Sequence, residues 1–222
     1  MTTIVRQSPC VECTSALAHA VALCLRPGDV VRLEADLGGG KTTFVRALAT
    51  ALGATGVSSP TFVIINRYAV PAGDLPLSGG HLIHVDAYRV GDVEELANAG
   101  WDRLFEGSTP RGDAVALIEW PARIDAALPP PEACLCISLT PTGETARRIE
   151  LRVPDAWGGR AEAVSLLERE PVICPVSGVW ISPVNPEYPF ASARARMADL
   201  GKWFGESFRS SRGIEPEDVD EL

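Results

Sequence analysis

The chain has 222 residues, 46% hydrophobic and 22% charged, an ordinary globular composition that excludes a disordered chain. Lys plus Arg is 20 against 29 Asp plus Glu, a net charge of −9 with a pI near 4.9, which argues against broad non-specific duplex binding but leaves room for a local basic patch. No apolar run approaches the roughly 20 residues of a membrane span. The first ten residues, MTTIVRQSPC, lack a basic segment before an apolar stretch, so no signal peptide and no membrane partner are expected. Six scattered cysteines then fit reduced thiols and a cytoplasmic location.

Taken in order, the first half alternates helix and strand signals. Thr14 or Ser15 is placed to cap a helix to about Leu25, with Leu17, Val21 and Leu25 on one face. Arg26–Asp29 reads as a turn, and Val30, Val31 and Leu33 as a short apolar strand. Gly38-Gly39-Gly40 precedes a helix over Thr42–Leu52 that stops at Gly53. Strands are expected at Phe62–Val70 and Leu82–Asp86, joined by a surface loop over Pro71–Gly80. Asp92–Asn98 looks helical, and Ala114–Glu119 is a third apolar run ending in an acid. This alternation predicts an α/β fold with a mostly parallel sheet flanked by helices. Leu135–Leu139 and Ile149–Val153 add an antiparallel edge hairpin. Prolines crowd the chain from Pro171, and a helix pattern resumes from about Ser192 to Phe208 before an acidic, frayed end. A boundary near Glu170 divides residues 1–170 from 171–222.

Only two lysines, Lys41 and Lys202, stand among the 20 basic residues, so a position that keeps Lys calls for a compact ammonium. Lys41 closes the segment Ala35-Asp36-Leu37-Gly38-Gly39-Gly40-Lys41-Thr42, which has the spacing of a G-x-x-x-x-G-K-[ST] phosphate loop between strand and helix. Its glycines would let backbone N–H groups face phosphate oxygens, helped by the helix N-terminus. Lys41 would meet the β- and γ-phosphates, and the Thr42 hydroxyl would ligate Mg²⁺. Ala35 replaces the first glycine, costing on the order of 1 kcal/mol if its φ is positive and almost nothing otherwise. The carboxylates of Asp86 and Glu119 end two apolar runs and should reach the same sheet edge, where they could hold Mg²⁺ or orient water.

Lys41-Thr42-Thr43, Ser59-Pro60-Thr61-Phe62, His84–Arg89 and Ile118-Glu119-Trp120-Pro121 occur in the order and spacing of the TsaE (YjeE-type) family. Over about residues 5–155 the chain resembles this family of small bacterial ATPases of tRNA threonylcarbamoyladenosine synthesis. The resemblance implies a P-loop NTPase-like fold, Mg²⁺-dependent ATP hydrolysis, and work with the synthase subunits TsaD and TsaB, with tRNA met through that complex. It also implies that Glu119 is the Mg²⁺-associated acid and that Asp86 positions water. By the same resemblance Thr61 belongs to a switch-like loop, Trp120 lies near the nucleotide and Thr14 near the adenine. Arg89, Arg103 and Arg123 could serve a partner surface or tRNA, or be plain solvated arginines. His84 shares a strand face with Asp86, either to orient the site or as a packed histidine.

The tail around residues 174–209 resembles the small zinc-binding YacG family of gyrase inhibitors through Cys174-Pro175, Gly178, Pro189-Phe190, Ser192, Arg194, Asp199-Leu200-Gly201 and Trp203. The four ligand positions, however, read Cys174, Ser177, Ala191 and Ala195, so no zinc and no gyrase partnership is expected. A degenerate zinc-ribbon-like segment ending in a helix would have to bury Trp180, Phe190, Leu200 and Trp203 to stay ordered. The plainer alternative is an amphipathic helix packing Met197, Leu200, Phe204 and Phe208 on the main domain. Cys10-x2-Cys13 and Cys134-x-Cys136 are expected to be buried free thiols. Two other functions stay open: a small-molecule P-loop phosphotransferase, which should carry an arginine-rich lid that is not found, and an interaction protein acting through the gyrase-inhibitor-like tail.

Overall fold

A computed structural model describes residues 1–57 and 63–210, apart from the side chains of residues 93 and 204–210. The predicted switch segment Ser59–Phe62, with Thr61, and the acidic end from 211 lie outside the described residues. The chain divides by its internal contacts into two units.

The first unit, Met1–Pro171 with Ser182–Val184, is built on a seven-stranded sheet. Its elements are β1 (Thr2–Ser8), α1 (Val11–Cys24), β2 (Val30–Glu34), α2 (Lys41–Ala51), β3 (Ile65–Ala69), β4 (His81–Asp86), α3 (Val93–Asn98), α4 (Trp101–Leu104), β5 (Phe105–Glu106), β6 (Thr109–Pro110), β7 (Ala114–Glu119), β8 (Leu135–Pro141), β9 (Arg147–Val153) and α5 (Ala161–Glu168). The sheet order is β1-β9-β8-β2-β7-β4-β3. β8, β2, β7 and β4 run parallel, while β3, β9 and β1 are antiparallel to their neighbours. The parallel centre explains the near-continuous apolar runs: all six residues of β7 are buried, as a strand covered on both faces requires.

Strand alternation divides these side chains between two cores. Leu82, Val115 and Leu117 face a core with α1, α2 and α5, whereas Ile83, Val85, Ala116 and Ile118 face one with Leu96, Trp101 and Phe105. On the second face Trp101 stacks on Phe105 with centroids 3.7 Å apart. Helix α3 is capped as its sequence suggests: Asp92 Oδ1 accepts from the Glu95 N–H at 2.9 Å, and Glu95 Oε2 accepts from the Gly91 N–H at 2.8 Å.

Three expectations are corrected. Helix α1 begins at Val11, so Thr14 is no cap: it is buried in the first turn, its hydroxyl 2.7 Å from that of Ser8. Strand β3 starts at Ile65, later than expected. The β8–β9 hairpin is interior, because β1 pairs with β9 from Thr2↔Val153 to Ser8↔Arg147 and takes the edge.

The second unit comprises Val172–Ile181 and the residues from Asn185 onward. It holds a two-stranded ribbon, β10 (Val172–Ile173) and β11 (Trp180–Ile181), and helix α6 (Ala193–Ser210). Its small core is Cys174, Ile181 and Ala195, with Phe190 and Ala191 packed against it. The expected burial of the large side chains is overturned, since Trp180, Met197, Leu200 and Trp203 are all exposed, Trp203 to 61%. Cys174, Ile181 and Ala195 fill the centre instead. No helix among the described residues is long and apolar enough to cross a membrane.

Candidate active site

Between β2 and α2 the chain closes into a tight loop. Gly38 and Gly40 hold φ of 74° and 105°, in the left-handed region that disfavours a side chain. Gly39 is fixed differently: a Cβ there would stand 2.6 Å from the Ala35 methyl and 2.9 Å from the Asp36 carbonyl oxygen. Among the described residues Trp120 is the only non-glycine with positive φ, so Ala35 carries no left-handed strain and its departure from the motif is conformationally silent.

Parallel pairing brings the two acids together. Asp86 and Glu119 are register partners at the ends of β4 and β7, and Leu33 of β2 pairs with Glu119. These strand ends face the loop that opens α2, as the parallel topology requires. A cleft of about 320 Å³ gathers Gly38, Gly39, Gly40, Lys41, Thr42, Thr43, Asp86, Glu119 and Trp120, with Leu37 and Tyr88. Thr14 lies instead beside a smaller hollow of about 70 Å³, shared with Val11, Gly40, Thr43 and Arg147. Arg89, Arg103 and Arg123 are exposed and line neither space.

Lys41 is turned onto its own loop. Its Nζ donates to the carbonyls of Ala35 at 2.7 Å and Asp36 at 3.0 Å, and lies 3.9 Å from the centroid of the Trp120 ring. Tyr88 backs that ring at 5.0 Å. Burial pulls the Lys41 pKa below the usual lysine range, opposed by the carboxylates of Glu119, Asp86 and Asp36. Burial raises the Asp86 pKa, opposed by the Tyr88 N–H that its Oδ1 accepts at 3.1 Å; Glu119 adds to the rise, and His84 and Lys41 oppose it.

Glu119 is almost fully buried and sits 2.8 Å from Nε2 of His84, itself 1% exposed. His84 Nδ1 is buried with no partner among the described residues. An orphaned lone pair costs less than an orphaned N–H, so the proton belongs on Nε2, where it is donated to the carboxylate. His84 is therefore both packed and orienting, and the group it orients is Glu119.

No motif in the sequence points to Arg147. From the start of β9 its Nε donates to the Gly39 carbonyl at 2.8 Å, and its Nη1 donates to Gly143, Glu144 and Ala146 carbonyls in the preceding turn. It ties the β8–β9 hairpin to the glycine loop through backbone atoms alone, which leaves no spacing signature.

The chain is similar to known proteins. Residues 8–149 match the family described as threonylcarbamoyl adenosine biosynthesis protein TsaE. The tRNA threonylcarbamoyladenosine biosynthesis protein TsaE of Bacillus subtilis is 44% identical over 119 residues, 53% of this chain and 66% of its own length. The Aquifex aeolicus protein of that name is 37% identical over 115 residues, 50% of this chain and 72% of its own. The Streptomyces coelicolor protein is 42% identical over 106 residues, 47% of this chain and 64% of its own. The first of these alignments, like the third, thus spans just under two thirds of the relative. The crystal structure of YdiB from Bacillus superposes with a TM-score of 0.53 at 29% identity, covering 76% of this chain and 97% of that one. The second unit lies beyond the family match. The chain belongs to the TsaE family of threonylcarbamoyl adenosine biosynthesis proteins.

Proposed function

We propose that the chain is a Mg²⁺-dependent ATPase serving threonylcarbamoyladenosine modification of tRNA, in a complex with TsaD- and TsaB-type synthase subunits. The observation that carries this is the meeting of the glycine loop, Lys41, Asp86 and Glu119 in one cleft. Oxygen donors alone, Thr42 and Glu119, suit a hard cation that keeps most of its water and binds phosphate oxygens. Mg²⁺, once bound with ATP, would neutralise charge on the β- and γ-phosphates. Thr42 and Glu119 would hold it, Glu119 kept in place by His84 Nε2–H.

The chain's own groups do the rest. Gly38, Gly39 and Gly40 shape the loop for phosphate, and Thr43 follows in the first turn of α2. Lys41 has to leave the Ala35 and Asp36 carbonyls and the Trp120 ring to face phosphate, so an incoming triphosphate exchanges one set of partners for a stronger, charge-assisted one. Asp86 orients the attacking water as a carboxylate. Trp120 borders the nucleotide, and Thr14 reaches it only through the neighbouring hollow. The acidic surface fits a protein that meets tRNA through its partners. The second unit is proposed to be a metal-free relative of the YacG fold, on the strength of its four ligand-equivalent positions lying around one small core.

The test is Mg²⁺-ATP binding and hydrolysis by the purified protein, alone and with the two synthase subunits. Lys41→Ala should lose binding or turnover by two orders of magnitude or more. Unchanged affinity and turnover would overturn the ATPase assignment, and failure to co-purify with either subunit in the presence of ATP would overturn the partnership.

A further inference from the structure

The Cys10-Val11-Glu12-Cys13 motif takes no part in the proposed chemistry, yet its geometry is specific. Strand β1 ends at Ser8, Cys10 is the N-cap residue of the 14-residue helix α1, and Cys13 lies in that helix's first turn. The two sulfurs are 3.1 Å apart. Cys10 is part-exposed and Cys13 only 1% exposed. A C-x2-C pair entering a helix after a strand is an arrangement that supports thiol–disulfide chemistry, because it holds an accessible sulfur and an inner sulfur within reach of each other.

We infer that Cys10 and Cys13 form a redox-active dithiol that is oxidised by a small-molecule disulfide of the glutathione class. Cys10, the accessible sulfur, attacks one sulfur of glutathione disulfide. The S–S bond breaks, one glutathione leaves as thiolate, and a mixed disulfide forms on Cys10. Cys13 gives its proton to the departing thiolate and attacks Cys10 Sγ, expelling the second glutathione as a thiolate, which takes up the proton that Cys10 released to solvent in the first step. The balance is one dithiol and one glutathione disulfide converted to one protein disulfide and two glutathione thiols. Closing 3.1 Å to a bond of about 2.05 Å asks for about 1 Å of movement at the helix start.

Cys174, whose thiol is lowered to about 7, is 1% exposed and belongs to the second unit, and the remaining cysteines do not compete. Burial pushes Cys24 up to about 12 and Cys134 up to about 11, and Cys136 is buried as well. Burial also pushes Cys13 up to about 12, which fits the inner, second-acting thiol. Nor is the pair half of a metal site, since no group of three or more His, Cys, Asp or Glu side chains suited to a metal occurs among the described residues. The pair lies beside Val11 and Thr14, which line the hollow next to Gly40 and Thr43.

The full-length reduced protein is incubated with glutathione disulfide, quenched with acid and N-ethylmaleimide, and digested. The tryptic peptide Gln7–Arg32 holds Cys10, Cys13 and Cys24 together. The expected product is two hydrogens lighter, with fragment ions linking 10 to 13 and Cys24 alkylated. Cys13→Ser should accumulate one glutathione on Cys10, whereas Cys10→Ser should react at least tenfold more slowly. A link to Cys24, glutathione on Cys13 first, or no oxidation of the wild-type chain at any glutathione ratio overturns the inference. The wild-type digest needs no variant to fold, and no readout depends on ATP, so failure of the ATPase assignment would be seen separately.

Discussion

Gly39 and Asp86 show two ways in which one side chain sets the limits of this site. At Gly39 the constraint is contact, because an added methyl would press on Ala35 Cβ and on the Asp36 carbonyl. Gly39→Ala should cost about 1–3 kcal/mol, as overpacking does, and weaken nucleotide binding. Ala35→Gly alone should leave affinity equal, since Ala35 has no left-handed strain to relieve. Combined, the two changes should show partial rescue, because one clash goes and the 2.9 Å approach to Asp36 stays. Strictly additive losses, measured by urea unfolding, would show that Ala35 and Gly39 are not in contact. At Asp86 the constraint is charge. Burial raises its pKa, so the folded protein binds that proton more tightly than the unfolded chain. The ionised form that the proposed water-orienting role requires therefore costs stability, a cost absent below the unfolded pKa and complete above the raised folded one. In EDTA, Asp86→Asn should melt above wild type at neutral pH, with the difference shrinking on acidification, while hydrolysis falls. A variant that melts lower at neutral pH, or hydrolyses ATP normally, would refute this role.

At the level of elements, the glycine loop depends on a hairpin more than a hundred residues away. Arg147 spans from the β8–β9 turn to the Gly39 carbonyl, and its planar fork serves several acceptors at once. Lysine cannot reproduce that fork. Both Arg147→Lys and Arg147→Ala should weaken ATP binding by about tenfold, roughly 1.4 kcal/mol, with the Mg²⁺ requirement unchanged. Equal affinity by calorimetry would show that the loop stands without the hairpin. The same elements explain what could be read beforehand. β4 and β7 were legible because each is an apolar run closed by an acid, and parallel pairing then has to put Asp86 beside Glu119. β1 has no clear strand pattern because Thr2, Thr3, Arg6, Gln7 and Ser8 dilute its alternation, as befits an edge with only Ile4 and Ser8 buried. Its addition also moved the β8–β9 hairpin off the edge. α4, β5 and β6 span four, two and two residues, too short for any periodicity. Thr14 misled because a threonine near a helix start suggests a cap, whereas its hydroxyl is taken by Ser8, on a strand not foreseen.

On the scale of the whole molecule, a sheet-based unit that holds the candidate cleft is joined in one chain to a small unit whose order rests on little buried surface. That second unit centres on Cys174. The Ser177 hydroxyl foremost, with backbone N–H groups of Ser177, Val176 and Ala191, lowers its thiol to about 7. Ala191 N–H points at the sulfur from 3.4 Å, and Ala195 from the first turn of α6 fills the same core. Positions 177, 191 and 195 thus lie near Cys174, in a Cys-x2 then x3 spacing that four thiolates would turn into a tetrahedral metal site. The native chain has one thiolate there and no histidine beyond His84, so purified protein should carry no stoichiometric zinc. The variant Ser177→Cys, Ala191→Cys, Ala195→Cys should bind one Zn²⁺ per chain, since thiolates at about 2.3 Å need only the space between these positions. Metal binding to the folded form adds directly to stability, so the second unit of the variant should become resistant to proteolysis with zinc and lose that resistance with a chelator. Elemental analysis decides both halves. One zinc in the native protein would mean that ligands lie outside these four positions, and a zinc-free triple variant would mean that the four positions do not converge as a metal site.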